Sequence, residues 1–341
     1  PAEGAAIADQ LAYHAGEGEL WREAVHWGQE AARAAERLFA YAAACRQLDR
    51  TLEALEHLPA DAERRKTERR LRAWRFRLRY WFDPQEADAR FGADFAGEGT
   101  GSDTGGGTFA GGGWDDAPPD VLLARAEPLF MQGEVDQAQP LLERVVAMSA
   151  GLDLGLRGFA MGGLGAVHMI RGDLAQAVKL LEEAKPLVES TGRRLPGQSA
   201  ALALASACAL KGDFKRAQEC IAEVDESPGD GGHAAKLHGN KAMLAYLQGR
   251  WAEAVAESLL GMEGARAVEH HYNEYFSSIW GSAARVQLGE VDRAIACLDE
   301  SLRLAEKAKT LVLVDYVHSL KAMALLRRGR IAEAAKADNA G

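Results

Sequence analysis

The chain has 341 residues, 48% of them apolar and 26% charged, with a formal net charge of −10. That length admits two ordinary domains or one long repeat array, and the apolar share excludes wholesale disorder. The acidic balance argues against nucleic acid as the main partner, and no apolar run approaches the roughly 18–20 residues that a membrane span needs.

Without a basic-then-apolar leader, a reducing cytoplasm is the expected compartment. Because the chain starts at Pro1 without an initiator Met, it is expected to be a piece of a larger parent. Cys45, Cys208, Cys220 and Cys297 have neither a disulfide-framework nor a zinc spacing and read as buried thiols.

In chain order, the first element is "LAYHAGEGELWREAVHWGQEAARAA" (Leu11 to Ala35). It reads as a helical hairpin with Ala12 and Ala24 at small-residue positions and Trp21 between them. Segments 38–57 and 61–82 read as two more helices, the second ended by Asp83-Pro84. That second helix carries nine Lys or Arg from Arg64 to Arg79. Basic residues in such number suit an anionic partner or an acidic domain of the parent. The sequence favours the plainer reading, a solvated helix whose Arg stems cover apolar neighbours, with Glu53, Glu56 or Asp61 as acidic partners.

Residues 92–119 hold nine glycines between Gly97 and Gly113 and read as a flexible linker or disordered insertion. They are no phosphate-binding loop, since no Gly-Lys-Ser/Thr and no preceding apolar strand is present. Residues 1–91 are therefore expected to be an irregular N-terminal helical part, and 120–341 a regular array.

The regular part announces itself through Gly133, Gly172, Gly212, Gly249, Gly289 and Gly329, spaced 39, 40, 37, 40 and 40 residues apart. Two residues after each stands an apolar side chain: Val135, Leu174, Phe214, Trp251, Val291 and Ile331. Five after each stands alanine: Ala138, Ala177, Ala217, Ala254, Ala294 and Ala334. Seven before each is small: Ala126, Gly165, Ala205, Ala242, Ser282 and Ala322. A glycine ends one helix in a left-handed residue. The Asp or Glu that follows in four copies suits the start of the next helix. Small residues on both sides let the two helices approach closely. The unit is thus a helix-turn-helix hairpin, repeated six times with the last copy short, and such a hairpin buries its apolar face only by stacking on neighbours.

The Gly/Ala pattern in "AMGGLGAVHMIRGDLAQAVKLLEEAKPLV" (Ala160 to Val188) resembles the tetratricopeptide repeat, with Leu164, Gly165, Ala177 and Leu181 where that motif expects them. The period of about 40 residues exceeds the usual 34 or so. In that it resembles the longer-helix variety of the maltose-regulon activator, large LuxR-type regulators and signal-transducing ATPases attached to adenylate cyclases. The resemblance implies an all-α, right-handed superhelix (a solenoid) and says little about function.

No catalytic constellation is present: no Gly-x-Ser-x-Gly and no His-Glu-x-x-His. His270 and His271 are adjacent, so on a helix they point about 100° apart and do not suit one ion. No cofactor or metal is expected. In stacked hairpins the first helices line the concave face. There Phe130, Phe159, Met169, Met243, Tyr246, Tyr272, Phe276, Ile279 and Tyr316 are expected to form an apolar groove, densest in "HHYNEYFSSIW" (His270 to Trp280). Such a groove suits a peptide, a partner protein or a small effector. The expected function is a non-enzymatic sensor or scaffold module of a larger signalling or transcriptional regulator, in contact with that parent's other domains. Two alternatives stand beside it: a pure assembly scaffold, or the non-catalytic part of a cyclase or ATPase.

Overall fold

The computed structural model describes residues 2–38, 40–95, 117–148, 154–190, 194–224 and 231–339. Among them every regular element is an α-helix. The Gly-rich stretch falls mostly outside the described residues. On either side of it, one helix runs to Asp94 and the next begins at Pro119.

Helices α1 (Ala2–Glu17), α2 (Trp21–Arg37), α3 (Tyr41–Glu56), α4 (Ala62–Tyr80) and α5 (Pro84–Asp94) belong to a first compact unit, Pro1–Arg125. Each packs on the next. Its core centres on Ala32, Ala44, Leu48 and Leu71, all fully buried. Trp21 stacks flat on His57, with ring centroids 3.8 Å apart.

The second unit, Ala126–Gly341, takes in the end of α6 (Pro119–Met131) and five further hairpins. α7 (Val135–Met148) is the second helix of the first hairpin, and α8 (Leu154–Ile170) with α9 (Leu174–Glu189) forms the second. α10 (Arg194–Lys211) and α11 (Phe214–Ala222) follow, then α12 (Gly231–Leu247) and α13 (Trp251–Ala267). α14 (His271–Gln287), α15 (Val291–Lys307), α16 (Val314–Arg327) and α17 (Ile331–Asp338) complete it.

The turns show why the glycines recur. All six have φ between +77° and +86°, where a side chain is strained. In each, the glycine N–H donates to the carbonyl three residues back, and the next N–H donates to the carbonyl five before it. At Gly172 these bonds run to Met169 and His168, at 3.1 and 2.9 Å. Two otherwise orphaned carbonyls of the first helix are thereby satisfied. Asp173 and Asp213 then cap α9 and α11 by accepting from the N–H groups of Gln176 and Arg216. Where arginine replaces the acid, at Arg250 and Arg330, its guanidinium reaches Glu253 and Glu333 in the next helix's first turn.

Behind each turn the alanine at +5 is buried: five of the six are wholly inaccessible and Ala334 is 3% exposed. The first unit repeats the device once. Glu19, at φ +55°, stands where the glycine would, with Leu20 N–H donating to Ala15 C=O at 2.8 Å.

Candidate ligand-binding face

α14 is buried round most of its circumference, from Asn273 to Ala284, and it positions the face described here. Small residues bring its neighbours close. A Cβ placed on Gly261 of α13 would lie 2.5 Å from Ser277 Oγ, and one on Gly281 would lie 2.3 Å from Ser258 Oγ. Hydroxyls in these seams are mostly used locally. Ser258 donates to Ser277 C=O at 2.8 Å, and Ser278 and Ser301 share a 2.8 Å bond between α14 and α15. A helix so tightly seated presents its remaining stripe rigidly.

That stripe is aromatic. Trp280 is only 4% exposed, and its ring lies 5.8 Å from Tyr246 of α12, 6.0 Å from Phe276 and 6.0 Å from Tyr316 of α16. Tyr272 continues the row, 6.4 Å from Phe276. The hydroxyls of Tyr316 and Tyr246 meet at 3.3 Å, joining the first helices of the fourth and sixth hairpins over the fifth. Burial pushes the Tyr272 phenol up to about 12. Burial first, and then the bond to Tyr246, raise Tyr316 as well, so both are neutral donors at any ordinary pH. The indole N–H of Trp280 is buried and has no acceptor. The result is an apolar floor ringed by four half-buried aromatic side chains.

Of the residues expected to line a groove, Tyr246, Tyr272, Phe276 and Tyr316 come together here. Met243 and Ile279 do not: they are 2% and 0% exposed and belong to the core. Ile279 and Trp280 both lie in that core, and Trp280 differs in that its ring stands against the half-buried rings of Tyr246, Phe276 and Tyr316. Met169 is partly buried against the same core, and Phe130 and Phe159 lie half-buried on α6 and α8. Trp280, not among the expected groove residues, stands with these rings at the end of the aromatic run. Its signal was the i, i+4, i+8 spacing of Tyr272, Phe276 and Trp280.

α12 and the start of α14 also carry polar side chains. Asn240 donates to Lys236 C=O at 2.9 Å and accepts from Ser206 of α10 at 2.6 Å. Burial alone pulls the Lys236 amine down to about 8. His270 is 5% exposed and caps α14, its Nδ1 accepting from Asn273 N–H at 3.3 Å. Burial, and next the charge of Lys236, depress His270 to about 3, so it is neutral with its proton on Nε2. Among the described residues no His, Cys, Asp or Glu side chains cluster as a metal site.

The basic helix α4 is a weaker candidate because its charges are engaged within the first unit. Arg75 pairs with Asp49 at 2.5 Å, Arg79 with Glu86 at 2.7 Å, and Arg69 with Asp120 at 3.7 Å. Arg64 donates to the carbonyls of Glu56 and Leu58, and Arg72 pairs with Glu68. Asp61 caps the helix by accepting from Arg64 N–H, rather than serving as a side-chain ion partner. Arg33 lies 5.9 Å over the Trp74 ring, whose N–H donates to Glu36.

The sequence matches the tetratricopeptide repeat over residues 119–144, 235–257 and 316–335, each match spanning one glycine turn. No curated protein matches the chain in sequence. Among solved structures, a Rap protein complexed with Competence and Sporulation Factor superposes with a TM-score of 0.61 at 10% identity, covering 92% of this chain and 96% of that one. A signal-transduction ATPase with a tetratricopeptide repeat sensor from Pyrococcus horikoshii gives 0.49 at 14% identity, over 86% of this chain and 38% of that one. A kinesin light chain repeat protein from Podosopora anserina gives 0.37 at 21% identity, over 55% of this chain and 94% of that one. At 10% identity the likeness to the Rap protein is one of fold alone. No helix among the described residues is long and apolar enough to cross a membrane. The chain carries tetratricopeptide repeats at these three places, and its described residues form an all-α fold of successive helices.

Proposed function

We propose that the second unit binds an extended peptide or protein segment on the face around Trp280, and that the chain is the non-catalytic sensor or scaffold portion of a larger signalling regulator. The observation that carries this reading is the aromatic floor itself. Five aromatic rings from three successive hairpins converge where a solvated surface would be polar, and they are held by a helix immobilised on its other sides. Rings around an apolar floor suit the side chains of a segment laid across the hairpins. The Rap protein, similar in fold, is seen complexed with Competence and Sporulation Factor, which supports a binding role for this fold.

The test is a selection of random peptides displayed on phage, run in parallel on the unaltered chain and on Tyr246→Ala/Tyr316→Ala. Peptides enriched on the first and lost on the second, with circular dichroism unchanged, are the expected result. Equal enrichment on both would place binding elsewhere.

A further inference from the structure

The loop from Ala308 to Leu313, between α15 and α16, reaches across the second unit to its first hairpin. Thr310 Oγ1 donates to Met131 C=O at 3.1 Å, and Leu311 N–H donates to the same oxygen at 2.8 Å. The partners are 179 residues apart in sequence. The accepting carbonyl ends α6, where no intrahelical donor exists, so the loop supplies the partner that the helix lacks. Beside it, a Cβ on Gly133 would meet Leu311 Cβ at 3.5 Å, so the first glycine turn also touches the loop. The first and sixth hairpins are thereby tied.

The tie is held under opposing influences. Lys309 and Leu313, on either side of the bonded residues, both have positive φ, at +47° and +64°. Side-chain-bearing residues resist that region, a bulky leucine especially. Against this strain stand the burial of Thr310 and Val312, 3% and 8% exposed, and a 3.2 Å bond from Val312 N–H to Thr310 Oγ1. One more restraint comes from elsewhere. The hydroxyl of Tyr275, on α14, donates to Val312 C=O at 2.9 Å. Tyr275 is 1% exposed, and its ring lies 6.5 Å from Tyr272. The helix that carries the aromatic face thus also fixes the loop that ties the two ends.

We infer that the loop 308–313 is a latch between the first and sixth hairpins, and that Tyr275 is the positioning residue coupling the latch to the aromatic face. Closure and occupancy of the face then form one linked equilibrium: a segment that favours the seated position of α14 tightens the latch, and a tighter latch favours the segment. The coupling rests on the binding reading above for what occupies the face; the closure of the latch does not.

The Leu311 amide is the direct reporter, because its bond to Met131 is the tie itself. Its hydrogen exchange, followed by NMR in the intact chain, should be protected in the unaltered protein. It should speed roughly three- to tenfold in Tyr275→Phe, the change expected for one lost hydrogen bond, with amides at the centre of α12 unaffected. Lys309→Gly, which relaxes strain at the loop, should slow it. An unprotected Leu311 in the unaltered chain, or an unchanged rate in Tyr275→Phe, would overturn the inference; so would faster exchange in Lys309→Gly. Adding a peptide recovered from the phage selection should slow Leu311 exchange in the unaltered chain and much less in Tyr275→Phe. A peptide that binds without slowing it refutes the coupling and leaves the binding face standing. Failure to recover any peptide counts against the face, while the peptide-free rates still decide the latch.

Discussion

Gly165 and Leu181 face each other across the second hairpin so closely that a Cβ on the glycine would lie 2.7 Å from Leu181 Cγ and 3.1 Å from its Cδ2. Leu181 is 1% exposed, within an interior where side chains are close-packed. Gly165→Ala is therefore expected to destabilise the second unit by roughly 1–3 kcal/mol through overpacking. Gly162→Ala, one turn earlier on the same helix, places its Cβ where nothing lies within 4 Å. It should stabilise by about 0.5–1 kcal/mol, since alanine loses less backbone entropy in a helix. Urea unfolding of the two variants checks both signs, and equal effects would show that helix propensity rather than helix approach governs these positions.

The contrast explains how much was legible in the sequence. The turn glycines and the small residues around them were readable because their constraint is local: a left-handed residue and a close helix approach demand particular residue types at fixed spacing. The face was readable only in part. Which side of α14 meets the core depends on how successive hairpins rotate, and periodicity does not carry that rotation. Hence Ile279, expected on the face, is wholly buried, and Trp280, only 4% exposed, stands among the rings of Tyr246, Phe276 and Tyr316. On α4, the pairing of Arg75 and Arg79 with Asp49 spans 26 and 30 positions, a distance at which sequence offers many carboxylates and no means of choosing.

Glu19 occupies the left-handed turn position that glycine fills in the six regular copies. A left-handed residue costs a side chain about 1–2 kcal/mol, part of which glycine returns through its larger unfolded-state entropy. Glu19→Gly should stabilise the first unit by about 0.5–1 kcal/mol. A thermal melt resolving that unit would show an upward shift; a downward one would mean that the glutamate side chain contributes something its exposed position does not reveal.

His270 makes stability depend on acid. Its folded value of about 3 lies below the ordinary 6.5, because burial and the charge of Lys236 disfavour the imidazolium. The unfolded chain takes up a proton below 6.5 while the folded chain does not, so stability falls as pH drops from 6.5 toward 3. The loss approaches about 1.4 kcal/mol per pH unit. His270→Asn keeps an acceptor for the Asn273 N–H and does not titrate. It should match the unaltered chain near pH 7.5 and be the more stable of the two near pH 5. Parallel pH profiles at both ends would remove His270 as the acid-sensitive group.

Lys236 works at the other end of the scale. Burial lowers its amine to about 8 from the ordinary 10.5, so at neutral pH the folded chain carries an ammonium in a place that disfavours it. Between pH 8 and 10.5 the unfolded chain binds the extra proton, and this residue's contribution to stability rises with pH. Lys236→Met keeps the apolar stem and removes the charge, and should stabilise the chain at pH 7 by roughly 1–3 kcal/mol. The advantage of the variant should shrink as pH rises through 10. The comparison must be a difference between the two proteins, because Cys45 and Cys208, both pushed up to about 11 by burial, titrate in the same range with the opposite sign. If Lys236→Met stabilises the chain and also weakens binding of the selected peptides, the amine serves the ligand. If it stabilises the chain and leaves binding untouched, the amine lies outside the site and the face is wholly aromatic.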